Sequence, residues 1–227
     1  IASTFQRFRS RHKKVLNDLA TSKGYTNFKQ VGEVDSSKIF KNLWIVDPEK
    51  DYDPATGHDQ FVLKDPTIDF AVLETARGGL LRAGLGFYNC DIAIVTNIAP
   101  DHLGLRGVNT VEQMARLKGV VPETVVPDGY AILNADDELV YDMRKNLNCN
   151  VALFSMDENN PNIKRHAANN GLYALHENGF ITVCKGTWKM RVCKAVNVPL
   201  TFGGKARFMI QNVLPAVLTG YIRGFDL

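Results

Sequence analysis

Two apolar runs, TIDFAVLE at 67–74 and CDIAIVTN at 90–97, constrain this chain more than any other feature. Each is rich in β-branched and small apolar residues and stops at a polar cluster. The first opens onto Glu74-Thr75-Ala76-Arg77-Gly78-Gly79, the second onto Thr96-Asn97-Ile98-Ala99-Pro100-Asp101-His102-Leu103-Gly104. Near-continuous apolar runs of this length read as strands covered on both faces, the condition of a parallel sheet. A carboxylate, a guanidinium and an imidazole therefore follow two buried strands.

The flanking pattern extends the sheet. Strand 68–74 leads to a helix at 79–87, then strand 91–96 and a helix at 110–126, opened by Asn109 or Thr110 and stopped near Pro127. Strand 130–134, helix 137–147 and strand 150–155 follow. Strands separated by helices of this length require βαβ crossovers, so the fold expected is α/β, a three-layer domain with a mainly parallel sheet. Beyond Pro161 a short helix at 162–169 precedes a small antiparallel β meander, with turns at Glu177-Asn178-Gly179 and Lys185-Gly186. A last helix covers about 206–223, and Pro215 is expected to kink it or confine its hydrogen bonding to one side.

Upstream, residues 2–20 have helix composition, with Phe5, Phe8, Val15, Leu16 and Leu19 as the buried stripe. Arg7, Arg9, Arg11, Lys13 and Lys14 crowd its first half, either as a solvated face or to meet phosphate. A strand at 43–46 and a polar loop rich in Asp and Pro come next. The chain thus reads as one domain, 1–227, with an N-terminal part (1–64), an α/β core (65–160) and a meander with a closing helix (161–227). A chain that starts at Ile rather than Met is expected to be processed or excised from a longer one.

With 45% hydrophobic residues, the 227-residue chain can bury a large core. A net charge of +3 implies no nucleic-acid partner, and no apolar run is long enough to span a bilayer. Cys90, Cys149, Cys184 and Cys193 are widely spaced, without a CxxC pair or a signal peptide, and read as reduced thiols of a cytoplasmic protein.

Ligands of an open parallel sheet bind at the carboxyl ends of its strands. Glu74, last in its strand, is placed to hold a hard cation such as Mg2+, or else to cap the next helix. Gly78-Gly79 either lets backbone amides approach a ligand or forms a tight turn. His102, on a loop with Asn97, Pro100 and Asp101, is a functional candidate opposite Glu74; His12, His58, His166 and His176 have no such company. Lys118, beside Val120 and Val121, reads from its pattern alone as a helix lysine laying its stem along apolar surface. No GxxxxGK[ST] phosphate loop exists anywhere in the chain, and Gly203-Gly204-Lys205 lacks both the upstream glycine and the following hydroxyl.

LETARGGLLRAGLGF, CDIAIVTNIAPDHLGL, ARLKGVVPETV, GYAILNADD and GKARFMIQN, in that order, resemble the central ATPase domain of the Mur ligase family, a P-loop NTPase-like fold. Within it they are most similar to the Mur-like half of the cyanophycin synthetases, for which ETARGG and TNI-x-x-DHLG are characteristic. The resemblance implies ATP and Mg2+ as cofactors and an amide ligase that phosphorylates a carboxylate before an amine attacks the acyl phosphate. Glu74 and His102 would be magnesium ligands. Lys118 would match the lysine that many members carbamoylate to support a second metal, Asn212 the asparagine that faces adenine, and Asn97, Arg77 and Asp101 would organise the site.

The implied partners are a carboxylate substrate such as an aspartate polymer and an amino acid such as arginine, with a homo-oligomer left open. Another Mur relative, acting on muramyl peptides or folylpolyglutamate, and a degenerate non-catalytic binding module are the alternatives. The family's phosphate loop is expected just ahead of residue 1 and its third domain just after Phe225, so the chain by itself is expected to be inactive. Met209 stands where relatives often carry asparagine, and Pro215 is unexpected for the family's helix.

Overall fold

The computed structural model describes residues 2–7, 43–46, 70–85, 87–100, 103–104, 107–225 and 227. They form β1 (Ala2–Arg7), β2 (Leu43–Val46), β3 (Phe70–Thr75), α1 (Arg77–Ala83), β4 (Cys90–Val95), α2 (Val111–Glu123), β5 (Val125–Asn134), α3 (Glu138–Asp142), β6 (Asn150–Ser155), α4 (Pro161–Ala168), β7 (Leu172–Glu177), β8 (Phe180–Lys185), β9 (Trp188–Lys194) and α5 (Arg207–Ile222). The strands make one sheet in the order β2-β3-β1-β4-β5-β6-β7-β8-β9. The pairs β2–β3, β4–β5, β5–β6 and β6–β7 are parallel. Because β1 runs antiparallel to both β3 and β4, these two point the same way. Strands β2 to β7 therefore share one direction, and their carboxyl ends lie along one edge.

Alternation along each strand divides the core in two. Ala71, Leu73, Ala93, Val95, Leu133 and Leu153 face one side, where Val121 of α2, Val140 and Tyr141 of α3 and Ile163 of α4 cover them. Ile92, Ile94, Ile132, Ala152 and Phe154 face the other side, packed on Ile210, Val213, Leu214 and Leu218 of α5. This is the expected three-layer α/β arrangement. The meander is continuous with the sheet, since β7 pairs in parallel with β6 before β8 and β9 return. Its first turn takes Asn178 (φ 50°) and Gly179 (φ 78°) through the left-handed region, as a two-residue hairpin of this twist requires.

Four expectations change. Residues 2–7 are a strand rather than a helix, because β3 and β4 offer pairing on both sides of that segment; the rest of the expected helix, 8–20, lies outside the described residues. β5 begins at Val125, five residues early, and Pro127 falls where the register shifts between Cys90↔Val125 and Ile92↔Tyr130. A proline there forfeits no ladder bond. The expected 137–147 helix is α-helical only to Asp142 and continues as a 3-10 turn, Met143–Asn146. Gly78-Gly79 forms not a tight turn but the first turn of α1, which starts at Arg77, earlier than expected. α5 runs past a buried Pro215, whose carbonyl accepts the Thr219 hydroxyl at 2.9 Å.

Candidate functional site

The shared strand direction gathers most of the expected residues along one edge. Thr75 and Val95 both pair with Ala2, so the ends of β3 and β4 are level, two strand spacings or about 10 Å apart. Glu74 is exposed there. Alternation with buried Leu73 puts it on the α5 face of the sheet. It does not cap α1: the N-cap position is Ala76, and no side chain caps it. Arg77 follows in the first turn of α1, half-buried.

From the opposite face, α2 brings Lys118 to the end of β4. A Thr110–Gln113 capping box starts this helix, with the Thr110 hydroxyl accepting from Gln113 N and Gln113 Oε1 accepting from Thr110 N, both at 3.2 Å. Met114 and Val121 sink into the core, and Lys118 on the same helix is left half-buried. Its Nζ donates to the Asn97 carbonyl at 3.2 Å. The lysine thus goes to the strand end rather than merely lying along apolar surface.

Two further side chains, not anticipated individually, grip the same loop. Asn134, last residue of β5 and 2% exposed, donates through Nδ2 to the Thr96 carbonyl at 2.7 Å. Asp137 accepts the Ile98 N–H on Oδ2 at 2.7 Å while its Oδ1 caps α3 from Leu139 N and Val140 N at 3.0 and 3.1 Å. The signal was present in the NADD tetrapeptide: a polar residue ending a buried strand is the same clue that singles out Glu74. Its neighbour Asp136 fastens the next loop, accepting from Ser155 Oγ at 2.5 Å, Met156 N at 2.8 Å and Asn160 Nδ2 at 2.8 Å.

Asn212 sits elsewhere on the edge. Near the end of α5, Tyr221 lies 5.9 Å from Trp188 at the start of β9, and just beyond it Phe225 lies 6.4 Å from Phe70 at the start of β3. Trp188 pairs with the end of β8, which in turn pairs with the start of β7, so α5 finishes at the amino edge of the sheet. Its first turn must lie towards the carboxyl edge. Burial, and after it the Arg207 guanidinium there, hold His176, near the end of β7, below the usual imidazole range. Asn212 is exposed one turn after exposed Phe208, on the α5 face, displaced from Lys118 towards β6 and β7. His102 and Asp101 lie outside the described residues.

Glu74 is a hard oxygen donor of the kind Mg2+ takes. Among the described residues no group of three or more His, Cys, Asp or Glu gathers for a metal. A single exposed carboxylate at a strand end suits an ion that keeps several waters and takes phosphate oxygens. The thiols are remote from such chemistry: all four are free, and burial pushes Cys90 and Cys184 up to about 11. No helix among the described residues is long and apolar enough to cross a membrane.

A family profile described as the Mur ligase middle domain matches residues 20–220. The chain belongs to this family. Over 199 residues, 88% of its length, this Mur ligase domain is 45% identical to a cyanophycin synthetase of Synechocystis sp. and 47% identical to one of Crocosphaera subtropica. It spans 23% of each of these proteins. A UDP-N-acetylmuramoylalanine-D-glutamate ligase of Thermoanaerobacter pseudethanolicus is 24% identical over 165 residues, covering 69% of this chain and 33% of that protein.

Proposed function

We propose that this chain, 1–227, is the central domain of an ATP-dependent amide ligase of the cyanophycin synthetase type, with ATP and Mg2+ as cofactors. The observation that carries the reading is the carboxyl edge itself, where Lys118 meets the end of β4 level with the end of β3 that bears Glu74. Identity of 45% or more along 88% of the chain supports it. Glu74 and His102 would hold the Mg2+, which when bound neutralises phosphate oxygens during transfer. Lys118 supports the site from the end of β4, Arg77 and Asn97 orient it, and Asn212 faces the adenine.

The reaction is carboxylate activation. A carboxylate oxygen attacks the γ-phosphorus as the bond to ADP breaks. The amine nitrogen then attacks the acyl carbon, phosphate leaves, and the nitrogen loses a proton. The substrates are an aspartate polymer and an amino acid such as arginine, and the ATP requirement assigns the protein to the cytoplasm.

The test assays the full-length protein carrying this domain with ATP, Mg2+ and arginine, offering an aspartate polymer, muramyl peptide or folylpolyglutamate as acceptor. ADP release that needs both the polymer and arginine is expected, with Lys118→Ala lowering kcat on the order of 10²-fold. ADP release with muramyl peptide or folylpolyglutamate alone would move the protein to another branch. No release with any acceptor would make it a binding module.

A further inference from the structure

Three consecutive residues leaving β4 are each held by a side chain from a different place. Asn134 at the end of β5 takes the Thr96 carbonyl, Lys118 of α2 takes the Asn97 carbonyl, and Asp137 at the head of α3 takes the Ile98 N–H. We propose that Asn134 and Asp137 are positioning residues of the ligase: by pinning Thr96 and Ile98 they fix the Asn97 carbonyl between them and so set where the Lys118 ammonium sits. The proposal rests on the function assigned above and adds two residues to it.

The chemistry of each group supports a positioning task beyond packing. Asn134 is almost fully buried, and its amide is used at both ends: Nδ2 donates to Thr96 O, while Oδ1 accepts the Asp136 N–H at 2.9 Å. A buried amide so engaged ties the β4 exit to the β5 exit as one rigid unit, because breaking either bond leaves a polar atom without water. Asp137 divides its two oxygens between tasks. Capping α3 needs only Oδ1, which asparagine or serine would supply equally well. The second oxygen gives the Ile98 N–H an ionised acceptor at 2.7 Å, which no other common N-cap residue provides.

The Lys118 bond lies between these anchors. At 3.2 Å it is the longest of the three, and its donor ends a flexible four-carbon stem. The lysine therefore takes its position from the carbonyl rather than imposing one.

Asp137→Asn separates the two tasks, since the asparagine oxygen still caps α3 while its NH2 faces the Ile98 N–H donor to donor. In the full-length protein we expect three results for Asp137→Asn. Melting shifts by only a few degrees. Exchange of peptides covering residues 96–104 with deuterium speeds up at least tenfold at Ile98. Turnover, kcat, falls roughly 10- to 100-fold with KM for ATP nearly unchanged, as a displaced catalytic group would cause. Gly171→Ala, a substitution far from this edge, lowers the melting temperature without the kcat loss and serves as the stability control. Unchanged protection of residues 96–104, or lost protection with full kcat, would overturn the proposal alone. A wild-type protein that releases no ADP with any acceptor would overturn the assigned function and this proposal with it, and that outcome is read before any variant is made.

Discussion

Gly171 precedes β7 with no room for a side chain: a Cβ there would lie 2.3 Å from His166 Nε2. That nitrogen donates to the Leu172 carbonyl at 3.0 Å, joining the last turn of α4 to the start of β7. Gly171→Ala must displace the ring and break the bond, and a loss of about 1–3 kcal/mol is expected in urea unfolding. Adding His166→Ala removes the obstacle, so the double variant should lose less than the sum of the singles. The same histidine gives a pH dependence. Burial holds His166 below the usual imidazole value, the Leu172 bond opposes this, and the Arg144 guanidinium depresses it further. The folded ring stays neutral where the unfolded one, near its ordinary pKa of about 6.5, takes up a proton. Its stabilising contribution is therefore intact above that value and declines as pH falls through it. Urea midpoints at pH 7.5 and 5.5 should differ more for the wild type than for His166→Gln; His176, shifted in the same direction, is common to both proteins and cancels. Read from sequence, His166 has no role and Gly171 is not singled out, because closeness across a helix–strand junction leaves no mark in local pattern. Glu74 did draw notice, because a carboxylate closing a buried run is conspicuous without any knowledge of its neighbours.

Helices and strands were legible wherever their determinants are local. Asn178-Gly179 states its own turn type, and Asn160-Pro161 announces the start of α4, with Asn160 Oδ1 accepting from Asn162 N at 2.8 Å. β1 was not legible, because what makes residues 2–7 a strand is pairing with segments about 70 and 90 positions along the chain. The truncation of α3 goes with a contact that is local but not marked by hydrophobic periodicity: Arg144 turns back to donate to the Tyr141 carbonyl at 2.7 Å and stacks 3.4 Å over the Tyr141 ring. α2 offers a quantitative check: the sequence left Asn109 or Thr110 as its N-cap, and the structure has Thr110, in a capping box with Gln113. Thr110→Ala should cost about 1 kcal/mol, and so should Gln113→Ala, whose Oε1 accepts from both Asn109 N and Thr110 N. The two substitutions break one reciprocal motif, so the double variant should fall short of their sum by a measurable margin in urea unfolding. Equal additivity would mean that the two bonds act independently.

Six strands sharing one direction turn a set of scattered motifs into one edge. Alternation of strands and helices was enough to put Glu74 and the loop after β4 at strand ends, whereas Lys118 read from its pattern as an ordinary helix lysine and joined them only through the family resemblance. What alternation could not show is that the edge is flanked on both faces, with Lys118 of α2 on one side and Asn212 of α5 on the other. It also hid the cross-loop grip of Asn134 and Asp137, which depends on strand order. The whole molecule supplies the last prediction. Its edge provides a carboxylate, a lysine and anchored loops, yet none of its 227 residues forms GxxxxGK[ST], the element whose backbone amides cradle phosphate. Each missing contact to the transferring phosphoryl group is worth on the order of 10²-fold in rate, so several together place turnover below detection. The isolated 227-residue chain is therefore expected to unfold cooperatively but to release no ADP above background with ATP, Mg2+ and arginine in a coupled assay. Arginine-dependent ADP release from this chain alone would show that its own residues supply the phosphate contacts.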